Sequence, residues 1–168
     1  MDGDLTGWSE RTAERPEAAL KRVVALAQAR IAGCDAASVT LMRAGRAMAV
    51  VSTADVAREL DSAQCRTGEG PCLDAIRQLQ VFNVATAADA RSWPRFSEEA
   101  AARGIFTTLA VPLTVGGEAV GALNLYARRP DAFAGREADA VVFGSQAAST
   151  VSGALPGMRR REDRTGVV

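Results

Sequence analysis

The chain has 168 residues, enough for one domain with a proper core; 48% are hydrophobic and only 5% aromatic, so the interior must be mainly Ala, Val and Leu. Lys and Arg total 20 and balance 20 acidic residues, which excludes bulk attraction to nucleic acid or a membrane surface. There is no histidine, which excludes Ser-His-Asp and Cys-His catalysis, His-ligated haem and nearly all zinc-hydrolase sites.

Met1–Arg15 is polar and aperiodic and reads as a flexible lead-in. Pro16 then sits where a first helical turn tolerates it. Leu20, Val23, Val24, Ala27 and Ile31 recur at helical spacing, and Gly33 is placed to stop the helix. Two short strands follow, Ala37–Arg43 and Arg46–Thr53, joined at Ala44-Gly45, with Val39 and Leu41 alternating with Ser38 and Thr40. Thr53 is expected to cap a short helix carrying Val56 and Leu60. A loop is expected from Asp61 to Pro71, then a short helix over Cys72–Leu79 and a short strand over Val81–Val84.

Ser92-Trp93-Pro94 opens a helix that runs through Phe96 and Ala100 to Gly104. Ile105–Val115 and Glu118–Arg128 form a long hairpin, because both residues of the Gly116-Gly117 turn accept positive φ. On its second strand Gly121, Leu123 and Leu125 share one face, and Val120, Asn124 and Tyr126 the other. The last helix, about Gly135 to Leu155, carries two apolar stripes. Ala138, Val141, Val142, Ala148 and Leu155 form one; Phe143, Ala147, Val151 and Ala154 form the second. A surface helix of a monomer needs one stripe, so the second implies a homodimer through the terminal helices, the alternative being deeper burial. The tail over 156–168, with Arg159–Arg164 charged, reads as a solvated end rather than a phosphate site.

No apolar run is long enough to cross a bilayer. Cys34, Cys65 and Cys72 have no framework spacing and the sequence reads without a signal peptide, so the expected compartment is the reducing cytosol.

Four motifs occur in order: Gly68-Glu69-Gly70-Pro71-Cys72-Leu73-Asp74-Ala75, Arg91-Ser92-Trp93-Pro94-Arg95-Phe96, Leu109-Ala110-Val111-Pro112-Leu113 and Gly121-Ala122-Leu123-Asn124-Leu125-Tyr126. With the order of elements, this set closely resembles the GAF domains of actinobacterial regulators that often carry a C-terminal ANTAR (RNA-binding antiterminator) domain. The resemblance covers roughly residues 16–155. It implies an α/β fold of the α+β kind: a GAF/PAS-like central antiparallel sheet flanked by helices, with the N- and C-terminal helices packed together. It also implies a sensory module with a small ligand, but names no ligand and no cofactor. An ANTAR domain would need several tens of further residues beyond the last helix, so RNA binding is not carried over. Output is expected through a dimer or a separate output protein.

Gly68 and Gly70 let the backbone turn tightly, and Pro71 presets a helical turn. Cys72 is then expected at a helix N-terminus, where the dipole lowers a thiol's pKa and free amides receive anions. The alternative is a rigid turn that packs Cys72 as a small apolar residue. Cys65, separated from Cys72 by six residues in the expected loop, gives a redox pair if the backbones approach closely enough, with Cys72 attacking and Cys65 resolving; otherwise the two thiols are unrelated. Cys34 reads as structural. In the GAF topology Trp93 and Phe96 help wall the pocket, with Phe106, Thr107, Asn124 and Tyr126 as further lining, unless these are ordinary core. Asn124 is the most pointed, since an amide inside an apolar strand must find a partner.

Three functions follow. The first is a cytosolic sensory or regulatory domain that binds a small molecule or senses redox state. The second is a cysteine-dependent enzyme similar to the GAF-fold free methionine-(R)-sulfoxide reductases, although that family's acidic cluster and second cysteine have no positional match. The third is an interaction module with a vestigial pocket.

Overall fold

The computed structural model describes residues 15–86 and 89–154, so the expectations for residues 1–14, for Leu155 and for the tail over 156–168 lie outside the described residues. In chain order the elements are α1 (Pro16–Arg30), β1 (Ala36–Arg43), β2 (Arg46–Ser52), α2 (Asp55–Thr67), α3 (Pro71–Gln78), β3 (Phe82–Ala85), α4 (Pro94–Ala102), β4 (Thr107–Val115), β5 (Glu118–Ala127) and α5 (Glu137–Ala154). The five strands form one sheet in the order β2-β1-β5-β4-β3, every neighbouring pair antiparallel.

Strand alternation sends side chains to two different layers. On one face Val39, Leu41, Leu109, Val111, Leu123 and Leu125 pack against Leu20 and Val24 of α1 and Ala147 and Val151 of α5. These two terminal helices also pack on each other. On the other face Ala36, Val84 and Tyr126 meet Ala57 and Leu60 of α2 and Phe96 and Ala100 of α4. Helix α3 lies over β4 and β5. The architecture is the expected α+β one.

Four local expectations are corrected. The segment from Asp61 is no loop: α2 continues to Thr67 and ends at Gly68 in the left-handed region, φ 73°. Its inner face is Ala57, Leu60, Asp61, Ala63 and Gln64, in which two of five positions are polar. Thr53 does not cap α2, because its Oγ1 accepts the Ala37 N–H at 2.9 Å and ties the hairpin's end to β1. Val120 joins the α1/α5 layer instead of the Asn124 face. The pairing jumps from Leu113–Gly121 to Thr114–Ala119, so Val120 is the extra residue of a β-bulge and the alternation resets there. Finally, the first stripe of α5 is divided: Ala148 is buried, whereas Ala138, Val141 and Val142 are exposed.

Candidate functional site

Between β1, β5 and the α2–α3 layer the core is polar. In the sheet Ser38 stands opposite Asn124, and Tyr126 stands between Ala36 and Thr108. Above them α2 supplies Asp61 and Gln64, three residues and so one turn apart, and the first turn of α3 supplies Cys72. Ser38, Thr40, Asp61, Gln64, Cys72, Thr108, Asn124 and Tyr126 are each no more than 1% exposed. Such a concentration of polar groups in a core must account for its hydrogen bonds.

Much of the accounting is a single chain of bonds. The Cys72 N–H donates to Gln64 Oε1 at 2.9 Å, and Gln64 Nε2 donates to Tyr126 Oη at 3.2 Å. Tyr126 Oη donates to Asp61 Oδ1 at 2.5 Å, and Asn124 Nδ2 donates to the same oxygen at 3.2 Å. Asn124 Nδ2 also approaches Thr40 Oγ1 at 3.4 Å. Within this cluster four atoms have no partner among the described residues: Asp61 Oδ2, Asn124 Oδ1, Ser38 Oγ and Thr108 Oγ1.

Burial sets the electrostatics. It lifts the Asp61 carboxyl to about 6, against the pull of hydroxyl and amide groups on Ser38, Tyr126, Asn124 and Thr40. Tyr126 is pushed well above the usual phenol value, first by burial and then by the Asp61 charge. The Cys72 thiol is also pushed up, by burial first and the Asp61 charge second. The expected lowering by the helix N-terminus is therefore overwhelmed by desolvation. Nor is that terminus open to an anion, because Gln64 already takes the Cys72 amide.

Gly70 contributes room. Its φ is 144°, and a Cβ there would overlap the Gln64 amide group. Cys65 lies half-buried on α2, and all three cysteines are free thiols. Cys34 donates its Sγ–H to the Ala36 carbonyl at 3.3 Å, and burial raises its thiol to about 12.

The aromatic residues divide. Phe96 packs in the same cluster as Leu60 and Tyr126. Trp93 lies beside it, meets Phe82 edge-to-face at 5.7 Å and donates its indole N–H to Asp74 Oδ2 at 2.8 Å. Glu69 completes this clasp: its Oε1 accepts the Arg95 N–H at 2.5 Å and the Phe96 N–H at 3.1 Å. The α2–α3 turn is thereby pinned to the start of α4. Phe106 is 46% exposed, in a surface hollow with Thr86, Pro94 and Ala101. Thr107 donates to the Arg129 carbonyl at 2.7 Å, away from the cluster. The pleat gives the cluster's face to the next residue, Thr108, opposite Tyr126.

Of the residues expected at the site, the structure thus unites Cys72, Asn124 and Tyr126, places Gly70, Trp93 and Phe96 at its border, and leaves Cys65, Phe106 and Thr107 outside its hydrogen-bond chain. Asp61, Gln64, Ser38, Thr40 and Thr108 were not anticipated as site residues. The helical spacing of Ala57, Leu60, Asp61 and Gln64 was the available signal for two of them. Among the described residues no three His, Cys, Asp or Glu side chains converge as metal ligands, and no helix is long and apolar enough to cross a membrane.

A family model described as the GAF domain matches residues 13–155. No protein of curated function matches the chain in sequence. Among solved structures, a domain assigned to a two-component sensor histidine kinase from Sinorhizobium meliloti 1021 superposes with TM-score 0.66 at 20% identity, over 92% of this chain and 100% of that one. A type II free methionine-R-sulfoxide reductase from Thermoplasma acidophilum gives 0.66 at 13% identity, over 82% and 93%. The GAF domain of a phosphoenolpyruvate-protein phosphotransferase from Coxiella burnetii gives 0.62 at 21% identity, over 90% of each chain. At these identities the likeness is one of fold.

Proposed function

The chain belongs to the GAF family, and on that premise we propose that it is a sensory or regulatory domain that binds a small molecule at the Asp61–Gln64–Asn124–Tyr126 cluster. The observation that carries this reading is the set of buried polar atoms left unpaired around Asp61. Each such atom costs about 1–3 kcal/mol, a penalty that an apolar core of the same shape would avoid and that a bound ligand relieves.

Redox sensing through Cys72 and the sulfoxide-reductase reading both need a thiolate, and burial beside the Asp61 charge works against one. Output passes through a homodimer or a separate partner protein. Leu26 of α1 and Val141 and Val142 of α5 support this, being exposed apolar residues on the terminal helices. The resemblance to GAF domains of GAF/ANTAR-type regulators supports a cytoplasmic role in transcription regulation. A second reading, an interaction module whose pocket its own side chains have filled, draws on the closure of the cluster.

The test is native mass spectrometry of the chain after incubation with a cell metabolite extract. The expected result is a small molecule of defined mass retained by the wild type and lost in Asp61→Asn. Retention by neither protein favours the interaction module.

A further inference from the structure

At the heart of the cluster each amide nitrogen already has a partner. Asn124 Nδ2 directs its two N–H bonds to Asp61 and Thr40, Gln64 Nε2 gives one to Tyr126, and the Cys72 N–H goes to Gln64. The Tyr126 hydroxyl is likewise spent on Asp61. The strongest acceptors are not: Asp61 Oδ2 and Asn124 Oδ1 have no partner. The amide orientation follows from the carboxylate, since turning Oδ1 toward Asp61 would set acceptor against acceptor. A ligand that pairs these two oxygens must therefore bring donors.

It must also bring positive charge. The groups that bear most strongly on the Asp61 carboxylate are Ser38, Tyr126, Asn124 and Thr40, all uncharged. A buried carboxylate without a counter-charge is costly, and a charge-assisted bond is worth about twice a neutral one. An anion would meet repulsion from Asp61, and a molecule offering only acceptors would leave the spare oxygens unpaired. A hard metal ion asks for about six oxygens or more, and here one carboxylate stands among neutral groups.

On the reading that this cluster is the ligand site, we propose that the ligand presents a protonated nitrogen group with at least two N–H bonds, an ammonium, amidinium or guanidinium head, donating to Asp61 Oδ2 and Asn124 Oδ1 together. Ser38 Oγ, also unpaired and opposite Asn124 in the sheet, is the third contact for such a head. No bond is made or broken; the step is recognition.

The test is a ¹⁵N NMR titration of the full chain with methylguanidinium chloride, methylammonium chloride, acetamide, sodium acetate and potassium chloride at matched ionic strength. The resonances followed are the Asn124 side-chain amide and the Tyr126 backbone. The organic cations are expected to shift both saturably, with affinity lowered about tenfold or more in Asp61→Asn. A wild-type readout guards against misfolding of that variant: the shifts weaken as pH falls through about 6, where Asp61 takes up a proton. Cys65, Cys72 and Tyr126, the other titratable groups nearby, are all shifted upward and keep their protons across that range. Saturable shifts from acetamide, acetate or potassium but from neither organic cation would leave the pocket in place and overturn the ligand class. Shifts from none of the five would overturn both. Shifts from the cations that survive acidification and Asp61→Asn would place binding elsewhere and overturn the proposal.

Discussion

The backbone N–H of Cys72 is held by the side chain of Gln64, 2.9 Å away on the preceding helix. One glutamine thus caps α3 from α2 and passes its amide on to Tyr126. The arrangement needs a residue without Cβ at position 70, because the amide lies where a Cβ would project and φ is 144°. Gly70→Ala is expected to cost about 3 kcal/mol, from strain and overlap together. In a Gln64→Ala background the overlap is gone and only the backbone strain remains. Chemical denaturation of the two single variants and the double variant measures this as a coupling energy, and strict additivity would contradict the contact.

The pH dependence of Asp61 has a defined sign. Its carboxyl rises from 3.8 to about 6 on folding, so the folded chain binds the proton more tightly than the unfolded chain does. The resulting stability is fully present below about pH 4, is lost as pH rises to about 6, and amounts to about 3 kcal/mol. Asp61→Asn removes the titration. The stability of this variant relative to wild type is expected to climb over that window and level off above it. Denaturation midpoints from pH 4 to 7 check this, and a constant difference between the two proteins would contradict a buried, titrating Asp61.

The sheet and its order of elements were legible because β4, β5 and the glycine hairpin between them alternate strongly and the motifs lie in register with them. The site was less legible, for a physical reason. Its two acidic and amide residues, Asp61 and Gln64, sit on the buried face of α2 and interrupt the apolar repeat by which a helix is recognised, so the segment reads as a loop. Cys72 was visible, but the sign of its shift was not, since desolvation depends on what α2 lays over it. Thr107 and Thr108 are equally polar in sequence, and only the pleat register decides which faces Tyr126.

Glu69 joins the α2–α3 turn to α4 by accepting two N–H groups, those of Arg95 and Phe96. Glu69→Ala is expected to cost about 1 kcal/mol, the ordinary worth of a lost N-cap. Amide hydrogen exchange should rise at Arg95 and Phe96 and stay unchanged on β5. An unchanged rate at Phe96 would mean that the clasp is not formed in solution.

Val142 is 57% exposed on α5, and Val141 beside it 41%. A charge at Val142 touches no core residue, so Val142→Glu is expected to leave monomer stability within about 0.5 kcal/mol. If the terminal helices form the homodimer, sedimentation equilibrium of this variant will show weakened association. A wild type that remains monomeric at high concentration would remove the dimer route and leave a separate partner protein as the output.

The cysteines should label in an order set by burial and by Asp61. Cys72 is buried at 1% exposure under Gln64, and its thiol is pushed up by desolvation and then by the carboxylate's charge. Cys34 is half-buried and raised to about 12, while Cys65, also half-buried, is raised too. Alkylation needs both access and thiolate, so Cys72 is expected to react only when the fold opens. Timed iodoacetamide labelling at neutral pH, mapped by peptide mass, should modify Cys65 and Cys34 first. Cys72 should appear at the rate of opening, independent of reagent concentration once reagent is in excess. Fast second-order modification of Cys72 in the native protein would mean an accessible thiolate, and would put redox sensing ahead of ligand binding among the functions of this cluster.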